Sequence, residues 1–242
     1  MGNRIQHGIQ LNANKLKLIA IIAMAIDHCT VVLIPEDFVL VPLLRAIGRL
    51  TAPIMCFFIA EGYYHTSNLK KYMGRLLAIA IISHIPHNLC LGHDIWQFWR
   101  ATDVMFPLLF GLIALTAHQS ARLAVWQKWL VIIVCCILSY SGDWNYIAVF
   151  WILAFGIFHE DRKKQLFAFS IIGGLYLLQG VIYQSTFPFT SRLGIFLVIP
   201  LLLLYNGQRG RKSNLIKWGI LLVLSGPFDA DLSCGKAVLN HR

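Results

Sequence analysis

An aspartate and a histidine stand side by side inside a run that is otherwise apolar and of bilayer-spanning length. From Leu16 to Pro35 the chain reads Leu-Lys-Leu-Ile-Ala-Ile-Ile-Ala-Met-Ala-Ile-Asp-His-Cys-Thr-Val-Val-Leu-Ile-Pro, with Asp27 and His28 in its second half. A carboxylate near the middle of a spanning helix costs about 2.5–3.5 kcal/mol on insertion scales, so it calls for a wet cavity or a charged partner. Arg45 and Arg49 lie just past the short Pro35-Glu36-Asp37 turn. Four residues apart, they share one face of the next helix and are the partners the sequence offers.

The rest of the chain repeats the apolar theme. Of its 242 residues 57% are apolar and 13% charged, a balance that fits a polytopic membrane protein and excludes an ordinary soluble domain. Apolar blocks lie near 16–34, 46–64, 72–91, 103–118, 124–140, 145–159, 165–184, 191–206 and 214–226. They predict an all-α transmembrane bundle of eight or nine spanning helices. The expected organisation is a cytoplasmic N-terminal segment (1–15), a single transmembrane domain (16–226) and a polar tail (227–242). The first block is expected to be retained, because Asp27-His28 interrupts it and no Ala-x-Ala exit follows. Polar connections of about ten residues at most leave no room for a second domain.

The net charge of +10 reflects topology and not nucleic-acid binding. With the N-terminus in the cytoplasm, 15 of the 21 basic residues fall on inside segments, from Arg4, Lys15 and Lys17 through Arg162, Lys163 and Lys164 to Lys217, against Arg100 and Arg192 in outside loops. This asymmetry orients the chain in the cell membrane. Five of the six cysteines lie in apolar blocks without a Cys-x-x-Cys, and are expected to pack as small residues.

That orientation places scattered polar groups at one depth. Asp27, His28, Arg45 and Arg49 fall in the outer half, as do His84 and His87 at the end of the third block, Asp103 at the start of the fourth, and Asp143 in the fifth connection. Unpaired, such groups would together cost on the order of 10 kcal/mol. A neutral imidazole abstracts a proton near neutral pH, which makes His28 the leading general base. Adjacent helical residues point about 100° apart, so Asp27 and His28 are expected to have separate partners. The plainer readings are that Asp27 neutralises Arg49 to hold two helices together, and that the arginines anchor at the interface. His84 and His87 are spaced as metal ligands, but with no third ligand and with Pro86 marking a helix end no metal is expected. Pro53 is expected to bend the second helix and Gly48 to let helices approach.

The inner end carries a second signal. Glu61, near the end of the second block, precedes the basic turn of Lys70, Lys71 and Arg75, which suits the phosphates of a cytoplasmic donor. The positive-inside rule alone would also explain those charges. Glu61 itself wants a partner such as Arg75 or a helix terminus.

Leu16-Lys17-x-Ile19-Ala20-x-x-x-Met24-x-Ile26-Asp27-His28, Arg45-x-Ile47-Gly48-Arg49-x-x-x-Pro53-Ile54, Glu61-Gly62-x-x-x-Thr66 and Tyr72-x-x-Arg75-Leu76 resemble the TraX family of integral membrane proteins. The resemblance covers residues 14 to 115 and rests beyond them on span rhythm and Gly142-Asp143-Trp144. The family is named for a conjugation protein that acetylates the N-terminus of a pilus subunit. The resemblance therefore implies an acetyl-CoA-dependent membrane acetyltransferase. Carried over, Asp27, His28, Arg45 and Arg49 become the acyl-transfer site. Glu61, Lys70, Lys71 and Arg75 become the donor side, and His84, His87, Asp103 and Asp143 face the acceptor, a pilin-like peptide, glycan or lipid. Two other classes use the same residues: a proton- or substrate-relay transporter, and an accessory structural subunit. The chain departs from the family after Trp218, where a closing helix with Tyr-Pro-x-His-Leu is expected. A reading frame one base later can yield such a segment, so a frameshift near Trp218 is a further expectation.

Overall fold

The computed structural model of the protein describes residues 10–35, 38–90, 104–142, 144–182 and 189–208. Among them the chain is helical: α1 (Ala13–Leu33), α2 (Val41–Gly48), α3 (Thr51–His65), α4 (Leu69–Cys90), α5 (Met105–Gln119), α6 (Val125–Leu138), α7 (Asn145–Ile157), α8 (Arg162–Ile182), α9 (Phe189–Arg192) and α10 (Val198–Leu203), with a 3-10 turn Leu193–Leu197 before α10. No strand forms among the described residues. One isolated bridge pairs Leu11 with Tyr205. The expected block at 214–226 and the suspected frameshift lie outside the described residues.

Local chemistry sets the helix limits. Asn12 caps α1, its side chain accepting from the Lys15 N–H at 3.0 Å. The expected single helix over 46–64 starts earlier and is broken at Arg49-Leu50, giving α2 and α3. Pro53 explains the place, because it has no N–H for the Arg49 carbonyl, and the Leu50 N–H turns back to the Ile47 carbonyl at 3.1 Å. The expected helix end at Pro86 is not there, since α4 continues to Cys90. Asp161 begins α8 by accepting from the N–H groups of Lys163 and Lys164. The Lys164 backbone bond and then its side chain hold the Asp161 carboxyl below the ordinary carboxylate range. Its contribution is therefore present above that range and lost as pH falls through the lowered value.

Helix α7 is the centre. It is apolar all round, as a helix buried on every side must be, and Ile147, Ala148, Val149, Trp151, Ile152 and Phe155 are at most 1% exposed. Its approach to α5 is reciprocal. Gly111 of α5 faces Ile152 of α7, while Gly156 of α7 faces Leu115 of α5.

The bundle has two unlike ends. At one, α1, α4, α6 and α8 begin and α3, α5, α7 and α10 finish, tied by Leu11 N–H to Leu204 O (2.9 Å), Tyr64 hydroxyl to Gly156 O (2.6 Å) and Gln119 Nε2 to the Tyr64 hydroxyl (3.0 Å). Lys15, Lys17, Lys70, Lys71, Arg122, Arg162, Lys163 and Lys164 collect there, which makes it the basic end. At the opposite end, Ser191 donates to the Pro42 carbonyl at 3.2 Å. Two stretches, Val41–His65 and Arg162–Ile182, are long and apolar enough to cross a bilayer by length and composition. Other apolar helices are shorter than the sequence blocks predict, because polar turns claim their ends.

Helix α2 is held between two close approaches. Asp27 of α1 lies against Gly48, and Gly194 of the 3-10 turn lies against the Ala46 backbone. A Cβ at Gly194 would strike that backbone, so Gly194→Ala is expected to destabilise the bundle by about 1–3 kcal/mol. Gly174, with open space around it, should tolerate Ala with no loss. Thermal unfolding midpoints in detergent check both, and equal midpoints for the two variants would contradict the packing described.

Candidate functional site

Polar side chains gather at both ends of the bundle. At the end opposite the basic one, Arg45 Nη1 donates to Asp27 Oδ1 at 3.1 Å, with 9% and 25% of the two side chains exposed. The pair arises because α1 presents Asp27 to the Gly48 face of α2, where the absent Cβ admits the carboxylate. A Cβ there would stand 2.5 Å from Asp27 Oδ1. Thr51 adds a tie between α3 and α1 by donating to the Ala20 carbonyl at 3.1 Å. The expected neutralisation of Asp27 by Arg49 is corrected: Arg45 carries the ion pair, and Arg49 turns to α7, its guanidinium 5.2 Å from the Trp144 ring centre.

Trp144 belongs to a longer stack. Its ring lies 5.3 Å from Tyr176 at a 27° tilt, and the Arg192 guanidinium lies 4.7 Å over the other aromatic, Tyr176, while donating to the Tyr176 carbonyl at 3.2 Å. Arg49, Trp144, Tyr176 and Arg192 thus form a row from the end of α2 through the start of α7 and α8 to α9, a cation at each end of an aromatic pair. Cation–π contacts of this kind contribute about 0.5–2 kcal/mol each, more where water is excluded. Only Arg49 and the Gly142-Asp143-Trp144 run were visible in the sequence.

His28 is half-buried and, among the described residues, takes no hydrogen-bond or ion-pair partner. It follows Asp27 on α1, so the carboxylate is spent on Arg45 and the imidazole is left to itself. Cys29 is exposed. His84 is buried on α4 with its ring 5.9 Å from Phe106, edge to face. The His87 side chain, Asp103 and Asp143 lie outside the described residues. No group of three or more His, Cys, Asp or Glu suited to a metal occurs among the described residues.

At the basic end, Glu61 does not meet Arg75. Its carboxylate lies 3.3 Å from His159 Nε2 and 3.9 Å from His65 Nδ1. Arg75 is exposed and its Nε reaches only the Lys71 carbonyl, at 3.4 Å, with Lys70 and Lys71 exposed beside it. The reason is helical direction: Glu61 faces the α7–α8 turn while the basic turn opens away from it. His159 is sandwiched between the Glu61 carboxylate and the Tyr64 ring, whose centre is 4.0 Å away. Tyr64 in turn bonds α5 and α7. Sequence reading missed His159, Tyr64 and Gln119, whose only advance signal was Glu61's need for a partner, and read Arg162 as an inside charge alone.

The family model described as TraX protein matches residues 12–220, ending two positions past the suspected frameshift. A protein of Dichelobacter nodosus named probable fimbrial assembly protein FimC, serogroup H1, is 33% identical over 181 residues, covering 72% of this chain and 74% of that protein. An uncharacterized protein of Rickettsia prowazekii is 23% identical over 163 residues, covering 65% of this chain and 60% of its own length. No solved structure matches.

The Asp27–Arg45 pair yields a double-mutant cycle. Losing one partner of a fully buried pair costs about 3–5 kcal/mol, and the partial exposure of Asp27 lets water recover some of that, so Asp27→Asn or Arg45→Gln alone should cost about 1–3 kcal/mol. The double variant should cost less than the sum by at least about 1 kcal/mol. Strict additivity in chemical unfolding would mean the two groups do not interact.

Proposed function

Because the chain belongs to the TraX family, we propose that it is a multi-pass membrane acetyltransferase. In this reading it moves an acetyl group from cytoplasmic acetyl-CoA to an amine or hydroxyl of an acceptor on the outer side, its basic end facing the cytoplasm. The fimbrial assembly name of the Dichelobacter nodosus relative supports a pilin-like peptide as the first acceptor to test, ahead of a glycan or a lipid.

Membrane residence is supported by what the bundle leaves uncovered. Trp126, Trp129, Leu130, Ile133 and Ile137 form an outward stripe on α6, and Phe167, Ile171, Leu175, Leu178 and Val181–Ile182 another on α8, all more than half exposed. Soluble monomers rarely expose continuous apolar bands of this extent, whereas lipid tails cover them without penalty. Trp126 and Trp129 near the basic end, and Tyr140 at the other, suit the two interfacial belts. Single cysteines placed at 160 and 140 in a cysteine-free variant should react with an impermeant maleimide from the cytoplasmic and the outer side respectively. Labelling of both from one side would reject the topology.

The observation that carries the acyl-transfer reading is the half-buried His28, without a hydrogen-bond or ion-pair partner among the described residues, beside the Asp27–Arg45 pair. An acceptor N–H or O–H gives its proton to the His28 imidazole as its heteroatom attacks the thioester carbonyl. The C–N or C–O bond forms first, giving a tetrahedral oxyanion; on its collapse the C–S bond breaks and the leaving thiolate takes the proton back from the imidazolium. Arg45 and Arg49 stabilise the negative charge on the carbonyl oxygen between these steps. Asp27 positions Arg45.

A structural reading is favoured by a different observation, the seating of Asp27 on Gly48, which would make the polar set helix glue. His28 separates the two. Membranes containing His28→Ala should lose transfer of labelled acetyl from acetyl-CoA by at least 100-fold, about 2.7 kcal/mol in the barrier, at an unchanged unfolding midpoint. Full retention of labelling would leave only the structural reading.

A further inference from the structure

At the basic end one guanidinium nitrogen is buried without a hydrogen bond among the described residues. Arg162, the first residue of α8, lies flat over two aromatic rings, 5.0 Å from the Phe57 centre and 5.3 Å from that of Tyr205. Its Nη1 is buried and takes no hydrogen bond among the described residues. A half-buried guanidinium with one unmet, buried N–H gains from a ligand that accepts from it. The Asp161 carboxylate is not its partner, being bonded to the Lys163 and Lys164 N–H groups. Glu61 acts on Arg162 through space, but its close contacts are His159 and His65.

The same aromatic floor carries a second cation. Phe57, Phe58 and Tyr205 pack edge to face at 5.4–6.1 Å, and Lys17 Nζ sits 4.8 Å over Phe58. Lys17 from α1 and Arg162 from α8 therefore flank one surface, with the exposed Lys163 and Lys164 following Arg162 directly in the chain. Four segments build it, α1, α3, α8 and the stretch after α10, and the Leu11 N–H to Leu204 O bond ties the start of the first to the last. An aromatic-backed guanidinium and a neighbouring ammonium match a phosphate or pyrophosphate, which accepts several charge-assisted bonds at once.

We propose that Arg162 and Lys17 form a phosphate seat for the nucleotide part of the cytoplasmic acyl donor, in place of the Lys70, Lys71 and Arg75 turn. The proposal rests on the acyltransferase reading for the source of the phosphate. An anionic lipid headgroup offers the same chemistry, so the test separates the two.

The test uses the full chain in phosphatidylcholine nanodiscs, titrated with adenosine 3′,5′-bisphosphate. Saturable binding is expected, weakened at least tenfold by Arg162→Gln and a few-fold by Lys17→Gln, kept within about threefold by Arg162→Lys, and unaffected by Arg122→Gln. If Arg162→Gln fails to fold, the Arg162→Lys and Lys17→Gln results decide. Absence of binding, equal binding by the Gln variants, or an Arg162 effect seen only on retention of phosphatidylglycerol in mixed discs would each overturn the seat. Acetyl transfer by Arg162→Gln with an unchanged KM for acetyl-CoA would also discard it and leave the reaction standing. Arg162-dependent nucleotide binding by a protein that transfers no acetyl group would uphold the seat and remove the reaction.

Discussion

Charge among apolar helices sets the terms for this bundle. Asp27 could not sit where it does without the Arg45 guanidinium at 3.1 Å, and that distance requires α1 and α2 to cross at a glycine. Gly48 supplies the crossing. The ion pair and the close approach are one constraint, because a larger residue at position 48 would displace the carboxylate that the arginine needs. Buried pairs are weak sources of net stability. What this one fixes is register, since sliding α1 by one position would exchange Asp27 for His28 against Arg45.

The break between α2 and α3 extends that constraint to the rest of the chain. Pro53 withholds an N–H from Arg49, so the chain turns just after the arginine. Arg45 can then face α1 while Arg49 faces Trp144 on the central helix. Beyond Trp144 the stack continues to Tyr176 and Arg192, and Gly194 brings the following turn back onto α2. Four segments distant in sequence thereby close around α2. A cation at each end of an aromatic pair holds them without exposing polar backbone.

Helical class, the Asp27–arginine link and the role of Gly48 were legible because each follows from local rules: apolar runs, the cost of a lone carboxylate, and the missing Cβ. The identity of the arginine was not, since Arg45 and Arg49 share a helical face and only the turn at Arg49-Leu50 separates them. Glu61 shows the same limit. Its need for a partner was readable, but Arg75 is near in sequence and His159 nearly a hundred residues away, and sequence order carries no signal for a meeting between the ends of α3 and α7. The extension of α4 past Pro86 reflects tertiary context overriding a breaker. At Arg162, spacing indicated only an inside charge, while the rings that hold it come from α3 and from beyond α10.

For the acyl transfer proposed above, with a donor anchored at the basic end and reacting at His28, the two polar ends also constrain the donor chemistry. Arg49 and Glu61 bracket α3, and twelve residues of helix at 1.5 Å rise separate them by about 18 Å. Between them α3 packs Ile54, Cys56, Phe57 and Ala60 against the core, each at most 1% exposed. A donor held by its phosphates at the basic end can present acyl carbon to His28 only through an arm of about that length. An acyl phosphate, whose reactive carbon is bonded through one oxygen to phosphorus, has no such arm. A thioester at the end of a long, thin and mostly uncharged chain does, and such a chain can lie along apolar helices at less cost than a phosphate would incur there. The separation of charge in this fold thus favours a donor built with its anchor and its reactive group far apart.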